Sequence, residues 1–276
     1  MSQQTEKDYV LGTNDEEIQR LGLQHRVWRS ATLDCWHRAG ITLGSRVLDV
    51  GAGPGYATVD LAEIVGSTGE IIAVERSALF LETAKAFCST RNLNHVHLHQ
   101  LDLMTDSLPC EQMDAAWCRW VASFVNNPAT LVSKLAGAIR PGGVAIFHEY
   151  ADYSTWRLAP PSKPLEEFVW HVMNSWRSSG GEPDIAPILP SLLVKAGFRI
   201  LSATPKMFCV RPVDHAWNWL ASFIDINLKR LLELKHVDKA WTIIVRKELD
   251  AVQANPDSLM LTPMVLEIIA ERLTNI

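Results

Sequence analysis

Short apolar or alternating runs are separated by helix-compatible stretches along the first 150 residues. The runs predict strands, because each is about the length of a buried strand and turn residues flank it. They lie at 46–50, 70–75, 96–100, 113–118 and 144–149. The intervening stretches 56–65, about 78–91 and 128–140 predict helices, the last with Pro128 at its first position. This alternation is typical of a parallel sheet with right-handed crossovers and helices on both faces.

A long amphipathic helix is predicted ahead of the first strand. Thr13 and Glu16 form a capping-box pattern at its start, and Gly40 ends it. Five large side chains recur near one face at helical spacing: Ile18, Leu21, His25, Trp28 and Trp36. Residues 1–12 are polar and are expected to order only when something binds over them.

The character of the chain changes after Tyr150. A loop is predicted at 157–164, then a helix carrying Phe168, Trp170, Met173 and Trp176. A short helix at 187–196, a strand at 198–203 and helical sequence over 214–254 follow, and the tail 261–270 fits a final strand or a helix. The resulting division is an N-terminal helical lid (1–40), a core (41–150) and a C-terminal helical cap with the last two strands (151–276).

The composition of the chain argues against several classes of binding partner. The 276 residues carry a formal net charge of -5, which argues against binding nucleic acid through its phosphates. No apolar run approaches the roughly 20 residues of a membrane span, and the N-terminus lacks an apolar signal region. We therefore expect a cytoplasmic protein that binds neither nucleic acid nor membrane. The five cysteines are scattered, so neither a disulfide framework nor a metal site is indicated.

The sequence V-L-D-V-G-A-G-P-G-Y is the strongest chemical signal. A buried strand ends at Val50, and Gly51, Gly53 and Gly55 permit the positive φ of a sharp turn and leave room for a ligand. Crevices at the carboxyl ends of such strands are where open α/β sheets bind ligands. The dinucleotide fingerprint G-x-G-x-x-G would need glycine where Tyr56 stands, and no phosphate-binding G-K-S/T is present.

The loop instead matches the pattern E/D-x-G-x-G-x-G, with Asp49 two positions before the first glycine. In this it resembles the class I S-adenosylmethionine-dependent methyltransferases. The resemblance implies a Rossmann-like, seven-stranded, mostly parallel sheet and S-adenosylmethionine as the cofactor. It also implies that Glu75, at the end of the second strand, grips both ribose hydroxyls, and that Asp102, after the third strand, holds the adenine amino group. The neighbouring Ala52, Arg76 and Leu103 are expected to contact the cofactor as well.

Further landmarks extend the resemblance over nearly the whole chain, although it is more specific up to residue 150. The segment R-P-G-G at 140–143 precedes the fifth strand, as is usual in the family. M-D-A-A-W-C-R-W-V-A-S-F-V resembles a subgroup that methylates small molecules. So does the N-terminal Y-V-L-G-T-N-D-E-E-I-Q-R-L-G-L-Q-H, a segment that closes over the cofactor in that subgroup.

For several polar residues the sequence leaves two interpretations of their role open. Asp49 either holds the loop or faces the amino group of the methionine moiety. Arg20 and Gln24 share one helical face; the arginine either pairs with the cofactor carboxylate or is an ordinary surface charge. Arg119, directly after the fourth strand, is the natural partner of a carboxylate but also fits a simple salt bridge.

His148 and Glu149 end the fifth strand near the expected methyl donor and are the candidate general bases, although a structural role fits them too. Because side chains alternate along a strand, only one of the two can point inward. Methyl transfer requires little from a protein beyond alignment and exclusion of water. A catalytic base is therefore not required.

The sequence thus predicts methyl transfer to a small, partly hydrophobic organic acceptor by in-line attack. It allows a homodimer. The alternatives are a catalytically silent protein that binds S-adenosylmethionine or S-adenosylhomocysteine, and an NAD-dependent oxidoreductase, which Tyr56 disfavours.

Overall fold

A seven-stranded sheet forms the centre of the computed structural model, which describes residues 14–274. The strands in chain order, including those of a second, three-stranded sheet, are β1 Arg46–Val50, β2 Glu70–Glu75, β3 Val96–Gln100, β4 Met113–Arg119, β5 Ile139–Asp152, β6 Arg157–Ala159, β7 Phe198–Lys206, β8 Cys209–Val210, β9 Leu259–Leu261 and β10 Met264–Arg272. The large sheet has the order β3-β2-β1-β4-β5-β10-β7. The first five of these strands pair in parallel, and β10 runs antiparallel to both neighbours. The predicted Rossmann-like sheet is confirmed, and the ambiguous tail is a strand.

Helices cover both faces of the large sheet. The α-helices of the described residues are, in chain order, α1 Asp15–Arg38, α2 Tyr56–Val65, α3 Ala78–Thr90, α4 Pro128–Ala138, α5 Lys163–Ser178, α6 Leu189–Lys195, α7 His215–Glu233 and α8 Lys239–Ala254. Apolar side chains of α1 and α2 pack on one face of the sheet, and those of α4 and α6 pack on the other. The strands contribute side chains to both layers because successive residues point to opposite faces.

Three local predictions need correction. Helix α1 is capped by Asn14, whose side chain accepts the N–H of Glu17; Thr13 lies outside the described residues, as does the polar segment 1–12. The predicted loop 157–164 contains β6, which pairs with β9. The helical stretch 214–254 is two helices, α7 and α8, because the chain turns at Lys235 with a φ of 59°.

A second core lies beyond the carboxyl edge of the large sheet and is rich in aromatic side chains. It joins residues of α5, α7 and α8 to Trp28 of α1 and Trp120 after β4. The indole of Trp28 meets those of Trp120 and Trp219 edge to face, at centroid distances of 5.5 and 5.8 Å. Helix α1 therefore packs on both the sheet and the C-terminal helices. Of the described helices, none is long and apolar enough to cross a membrane.

Candidate functional site

A cavity of about 610 Å³ opens at the carboxyl ends of β1, β2 and β4 and beside the residues that follow β3. Its floor is the loop that follows β1, and its walls include Leu21, Gln24 and His25 of α1. The cavity is where the topology places it, since open α/β sheets bind ligands at the carboxyl ends of their strands. Because the strands lie in the order β3-β2-β1-β4, four parts of the chain line up across the edge of the sheet. They are the residues after β3, the end of β2, the glycine loop and the end of β4.

The three glycines of the loop all have positive φ, and an added Cβ would meet different surroundings at each of them. Gly55 (φ 87°) lies against α3, where an added Cβ would come within 2.6 Å of the Cβ of Ala84. At Gly51 (φ 63°) an added Cβ would collide with Val121. At Gly53 (φ 57°) an added Cβ would meet no atom within 4 Å. Since Gly53 also lines the cavity, its missing side chain leaves space for a ligand on the backbone.

Glu75 lies at the end of β2 and lines the cavity beside Ala52 and Arg76. Its Oε2 accepts the N–H of Gly53 at 2.9 Å, and its Oε1 accepts the N–H groups of Arg76 and Ser77. Burial raises the pKa of this carboxyl, against these backbone hydrogen bonds. Each carboxylate oxygen can accept more than one hydrogen bond, so capacity for hydroxyl donors remains.

Asp102 and Leu103 line the cavity beyond β3, as predicted for residues around an adenine ring. The Oδ1 of Asp102 accepts the N–H of Met104 at 2.8 Å. The carboxylate of Asp106 accepts the N–H of Asp102 instead of facing the cavity. The loop is thereby held in one conformation, with Asp102 and the apolar side chains of Leu103 and Met104 on the cavity side.

Asp49 is buried in β1 and also lines the cavity. Its Oδ2 accepts the hydroxyl of Thr58 at 2.6 Å. Burial raises the pKa of Asp49 to about 6, while the hydrogen bond from Thr58 and the positive charge of Arg119 oppose the shift. Asp49 thus ties β1 to the first turn of α2, directly after the loop, and also lines the cavity; its contact with the amino group of a methionine moiety stays a prediction.

Arg119 reaches the cavity from the end of β4. Its guanidinium donates to Thr32 Oγ1 and to His25 Nδ1, both at 3.1 Å, and lies over the ring of Trp120. Across residues 14–274 it makes no ion pair, although Asp49 acts on it through space. Burial lowers the pKa of Arg119 to about 10. A largely buried cation with neutral hydrogen-bond partners is suited to an anionic ligand.

Arg20 is buried, so it is not an ordinary surface charge, and it is not among the residues that line the cavity; its pairing with a ligand carboxylate stays a prediction that the structure does not support. Its guanidinium forms a bidentate pair with Glu17 at 2.6 and 2.7 Å and donates to Gln24 Oε1 at 2.8 Å. The indole N–H of Trp219 donates to the same oxygen at 2.9 Å. Because two donors fix the oxygen of Gln24, its amide NH₂ is left for the cavity that Gln24 lines.

The structure does not bring the candidate bases to the cavity, because His148 and Glu149 are buried and absent from its walls. Glu149 accepts the N–H groups of Val121, Ala122 and Ser123 and the hydroxyl of Ser123. It thereby caps the short turn Ala122–Phe124, and burial raises its pKa to about 7 despite these hydrogen bonds. A carboxylate with four donors is a structural cap and is poorly placed to take a proton from a substrate.

His148 belongs to a row of buried polar side chains beneath α1. It is register partner to Arg119 on one side and to Glu267 on the other, and its Nε2 lies 2.9 Å from Glu267 Oε2. Glu267 is also paired with Arg38 and Lys206. Burial alone would raise the pKa of Glu267, but the hydrogen bonds from His148 and Arg38 outweigh it and lower the pKa to about 2.

Cys35, His148 and Glu267 form a cluster of side chains that could in principle bind a metal ion, because their ligand atoms lie within 4.8 Å of one another. The spacing of the cysteines in the sequence did not indicate this cluster. Burial raises the pKa of the Cys35 thiol well above its ordinary value, and Glu267 adds to the shift. A thiol must be deprotonated to bind a metal ion. With the carboxylate already paired to two cations, this group is typical of a structural network.

Sequence reasoning missed the wall of the cavity that lies toward the C-terminal helices. Eight residues line it: Trp120, Val121, Phe124, Val125, Asn126, Ser179, Arg230 and Leu234. They come from the turn after β4, the end of α5 and the end of α7, and no local motif joins them. We call these eight residues the distal wall.

Comparisons with known proteins agree with the fold and the loop. Residues 47–143 match the model of the methyltransferase-domain family. A ubiquinone/menaquinone biosynthesis C-methyltransferase UbiE from Erwinia tasmaniensis is 24% identical over 150 residues, covering 54% of this chain and 57% of that protein. A demethylmenaquinone methyltransferase from Staphylococcus haemolyticus is 30% identical over 125 residues, covering 45% and 49%. The chain therefore matches about half the length of these relatives.

A solved structure supports the fold alone. The crystal structure of a protein from Bacillus halodurans, described as a methyltransferase, superposes with a TM-score of 0.61 at 17% identity, covering 89% of this chain and 100% of that one. The sheet order and the cavity define a Rossmann-like α/β protein with a ligand site across four adjacent strand ends. Together with the family match over residues 47–143, they support a class I S-adenosylmethionine-dependent methyltransferase domain in this part of the chain.

Proposed function

We propose that the protein transfers a methyl group from S-adenosylmethionine to a small, partly hydrophobic organic acceptor. The observation that carries the proposal is the order of polar groups along the cavity. Asp102, Glu75, the glycine loop and Arg119 follow one another across adjacent strand ends. An adenosyl amino acid presents its base, its sugar and its charged end in that same order.

The residues fit this ligand chemically. Glu75 can accept a hydrogen bond from a ribose hydroxyl at the acceptor site that the three backbone N–H groups leave, and Asp102 can accept one from the adenine amino group. The open space over Gly53 admits the ligand against the backbone. Asp49 and Arg119 present a negative and a positive charge to the same cavity, which suits an ammonium and a carboxylate.

When bound, S-adenosylmethionine would supply a methyl carbon that an acceptor oxygen, nitrogen or carbon attacks in line, with S-adenosylhomocysteine as the second product. The distal wall would align the acceptor and exclude water. Of its eight residues, Asn126, Ser179 and Arg230 are polar and none is a carboxylate or an imidazole. No general base is assigned, since the distal wall offers none of the usual candidates.

The aromatic core around the distal wall supports a partly hydrophobic acceptor. Trp120 and Phe124 line the cavity, and Phe124 packs on Trp176 of α5 at a centroid distance of 4.7 Å. Apolar walls with a few polar groups are typical of small-molecule pockets. The overall negative charge argues against a nucleic-acid acceptor.

Binding and turnover test the proposal separately. Calorimetric titration should show S-adenosylhomocysteine binding, and Glu75→Ala should weaken it by about 10-fold or more, because a hydrogen bond to a charged acceptor is lost. Glu63→Ala, an exposed acid on α2, is the control. Unchanged affinity of Glu75→Ala would remove the ribose assignment. A screen that finds tight binding without methyl transfer to any acceptor, or turnover of tRNA alone, would overturn the proposed reaction.

A further inference from the structure

A chain of hydrogen-bonded side chains runs from the junction of α1 and α2 to the cavity, which His25 and Arg119 line. The carboxylate of Asp60 on α2 lies 3.0 Å from Nε2 of His25 on α1. On the other side of the ring, Nδ1 lies 3.1 Å from Nη2 of Arg119. Arg29 donates to Asp60 at 2.7 Å and fixes the outer end of the chain of contacts.

These contacts determine the state of the imidazole. A guanidinium can only donate, so Nδ1 of His25 must accept the hydrogen bond from Arg119. The single ring proton is therefore on Nε2 and is donated to Asp60. Burial lowers the pKa of His25 against the hydrogen bond to Asp60, and the positive charge of Arg119 lowers it further. The ring is consequently a neutral acceptor near pH 7.

The same contacts determine the direction of the Arg119 guanidinium. Its two terminal nitrogens donate to Thr32 and His25, and its face lies over Trp120 at 5.0 Å from the ring centroid. A guanidinium has five N–H donors, so donors remain for a ligand in the cavity that Arg119 lines. A long, flexible side chain is thereby held in one orientation before any ligand arrives, which lowers the entropic cost of binding.

We propose that His25 is a positioning residue: held by Asp60, it aims Arg119 at the carboxylate of the cofactor's amino acid moiety. This inference rests on the proposed function, since it requires a cofactor that has such a carboxylate. His25 itself lines the cavity, but its two ring nitrogens are already used by protein groups. It acts on the ligand through Arg119.

The experiment compares two ligands by calorimetry at pH 8, where His25 is neutral. S-adenosylhomocysteine carries the amino acid moiety, and 5′-methylthioadenosine is the related nucleoside without it. The variants are His25→Ala, His25→Asn, Arg119→Met and the double variant His25→Ala/Arg119→Met. Asn places its amide oxygen near the position of Nδ1, so it restores the acceptor for Arg119. His171→Ala, on α5 and outside the cavity, is the control.

His25→Ala should bind S-adenosylhomocysteine about 10-fold more weakly than the unmodified protein, and His25→Asn should recover most of that loss. Affinity for methylthioadenosine should be unchanged in all variants. The double variant should bind S-adenosylhomocysteine as Arg119→Met does, because contacting residues that act in series are not additive.

Three results would overturn the inference: full affinity in His25→Ala, an equal loss of both ligands, or additive losses in the double variant. An equal loss would mean that the ring merely supports the fold. If the unmodified protein binds neither ligand, the proposed function itself fails, and that outcome is distinct from the other three.

Discussion

Two groups of buried ionisable side chains lie beneath α1, and they differ in how their charges are balanced. In the first, Glu267 faces Arg38, Lys206 and His148, so its negative charge is met within the fold. In the second, Arg119 donates to Thr32 and His25 and makes no ion pair in the described part of the chain. A charge that the fold itself balances indicates a structural role, whereas a buried charge left for a ligand indicates a binding site.

The largest expected effect is on stability, from Glu267→Gln. Removing this carboxylate leaves two cations beside a buried site and should lower the free energy of unfolding by about 3 kcal/mol, measured by urea denaturation. Affinity for S-adenosylhomocysteine should stay the same. The matched control is Glu271→Gln on the same strand, whose partner Arg199 is exposed, and we expect a change of about 0.5 kcal/mol there.

The carboxylate of Glu267 should also make the stability of the protein depend on pH in the acid range. The pKa of Glu267 is lowered to about 2 in the folded protein, below the ordinary value near 4.5. Its contribution is therefore complete above pH 4.5 and is lost as the pH falls toward 2. Equal stability of Glu267→Gln and the unmodified protein at pH 7 would contradict the structural role.

Arg119→Met should produce the opposite pattern. Affinity for S-adenosylhomocysteine should fall by about 30-fold, because a charge-assisted hydrogen bond to a carboxylate is lost. The free energy of unfolding should be unchanged or about 1 kcal/mol higher, since a largely buried cation is replaced by an apolar side chain. A destabilised Arg119→Met that keeps its affinity would remove the distinction between the two groups.

The smallest expected effect is the pH dependence of ligand affinity, which Asp49 should determine. Burial raises the pKa of Asp49 to about 6, and the ionised form is the one that attracts an ammonium group. Affinity for S-adenosylhomocysteine should be nearly constant above pH 7 and fall by about 10-fold between pH 7 and pH 5. Asp49→Asn should bind more weakly at pH 7 and lose most of this dependence. A pH profile that is identical in the two proteins would exclude Asp49 as the ammonium partner.

Local sequence predicted the floor of the cavity well, and the reason is geometric. Gly53, Glu75 and Asp102 each stand within two residues of a strand end or in the loop after it, and a parallel sheet places those ends at one edge. The position of Arg119 at the end of β4 followed from the same alternation. The ligand contacts of these residues stay predictions.

The roles of other residues depended on partners far away in the chain. Arg20 and Glu149 carry the right chemistry for the site, but Glu17 and the turn after β4 engage them. His148 is paired with Glu267, 119 residues further on. The distal wall was missed because Ser179 and Leu234 line the cavity only when α5 and α7 pack over the edge of the sheet. No short-range periodicity carries that information.

Tyr56 departs from the dinucleotide-binding fingerprint and also serves the fold. It stands where a dinucleotide fingerprint has its last glycine, and its hydroxyl donates to the carbonyl of Ile18 at 3.1 Å. An added Cβ on Gly22 would lie 2.7 Å from that hydroxyl. The ring therefore fits against α1 where that helix lacks a side chain, and glycine at 56 would remove this contact.

The contact between Arg38 and Glu267 joins positions 229 apart in sequence. Within the described chain α1 is the first helix to be synthesised, yet the strand that neutralises its last turn is the last one made. The full set of contacts that hold α1 can therefore form only after β10 has been synthesised. Because Gln24 and His25 belong to that helix, a strand far away in sequence helps to hold the helix that forms one wall of the cavity.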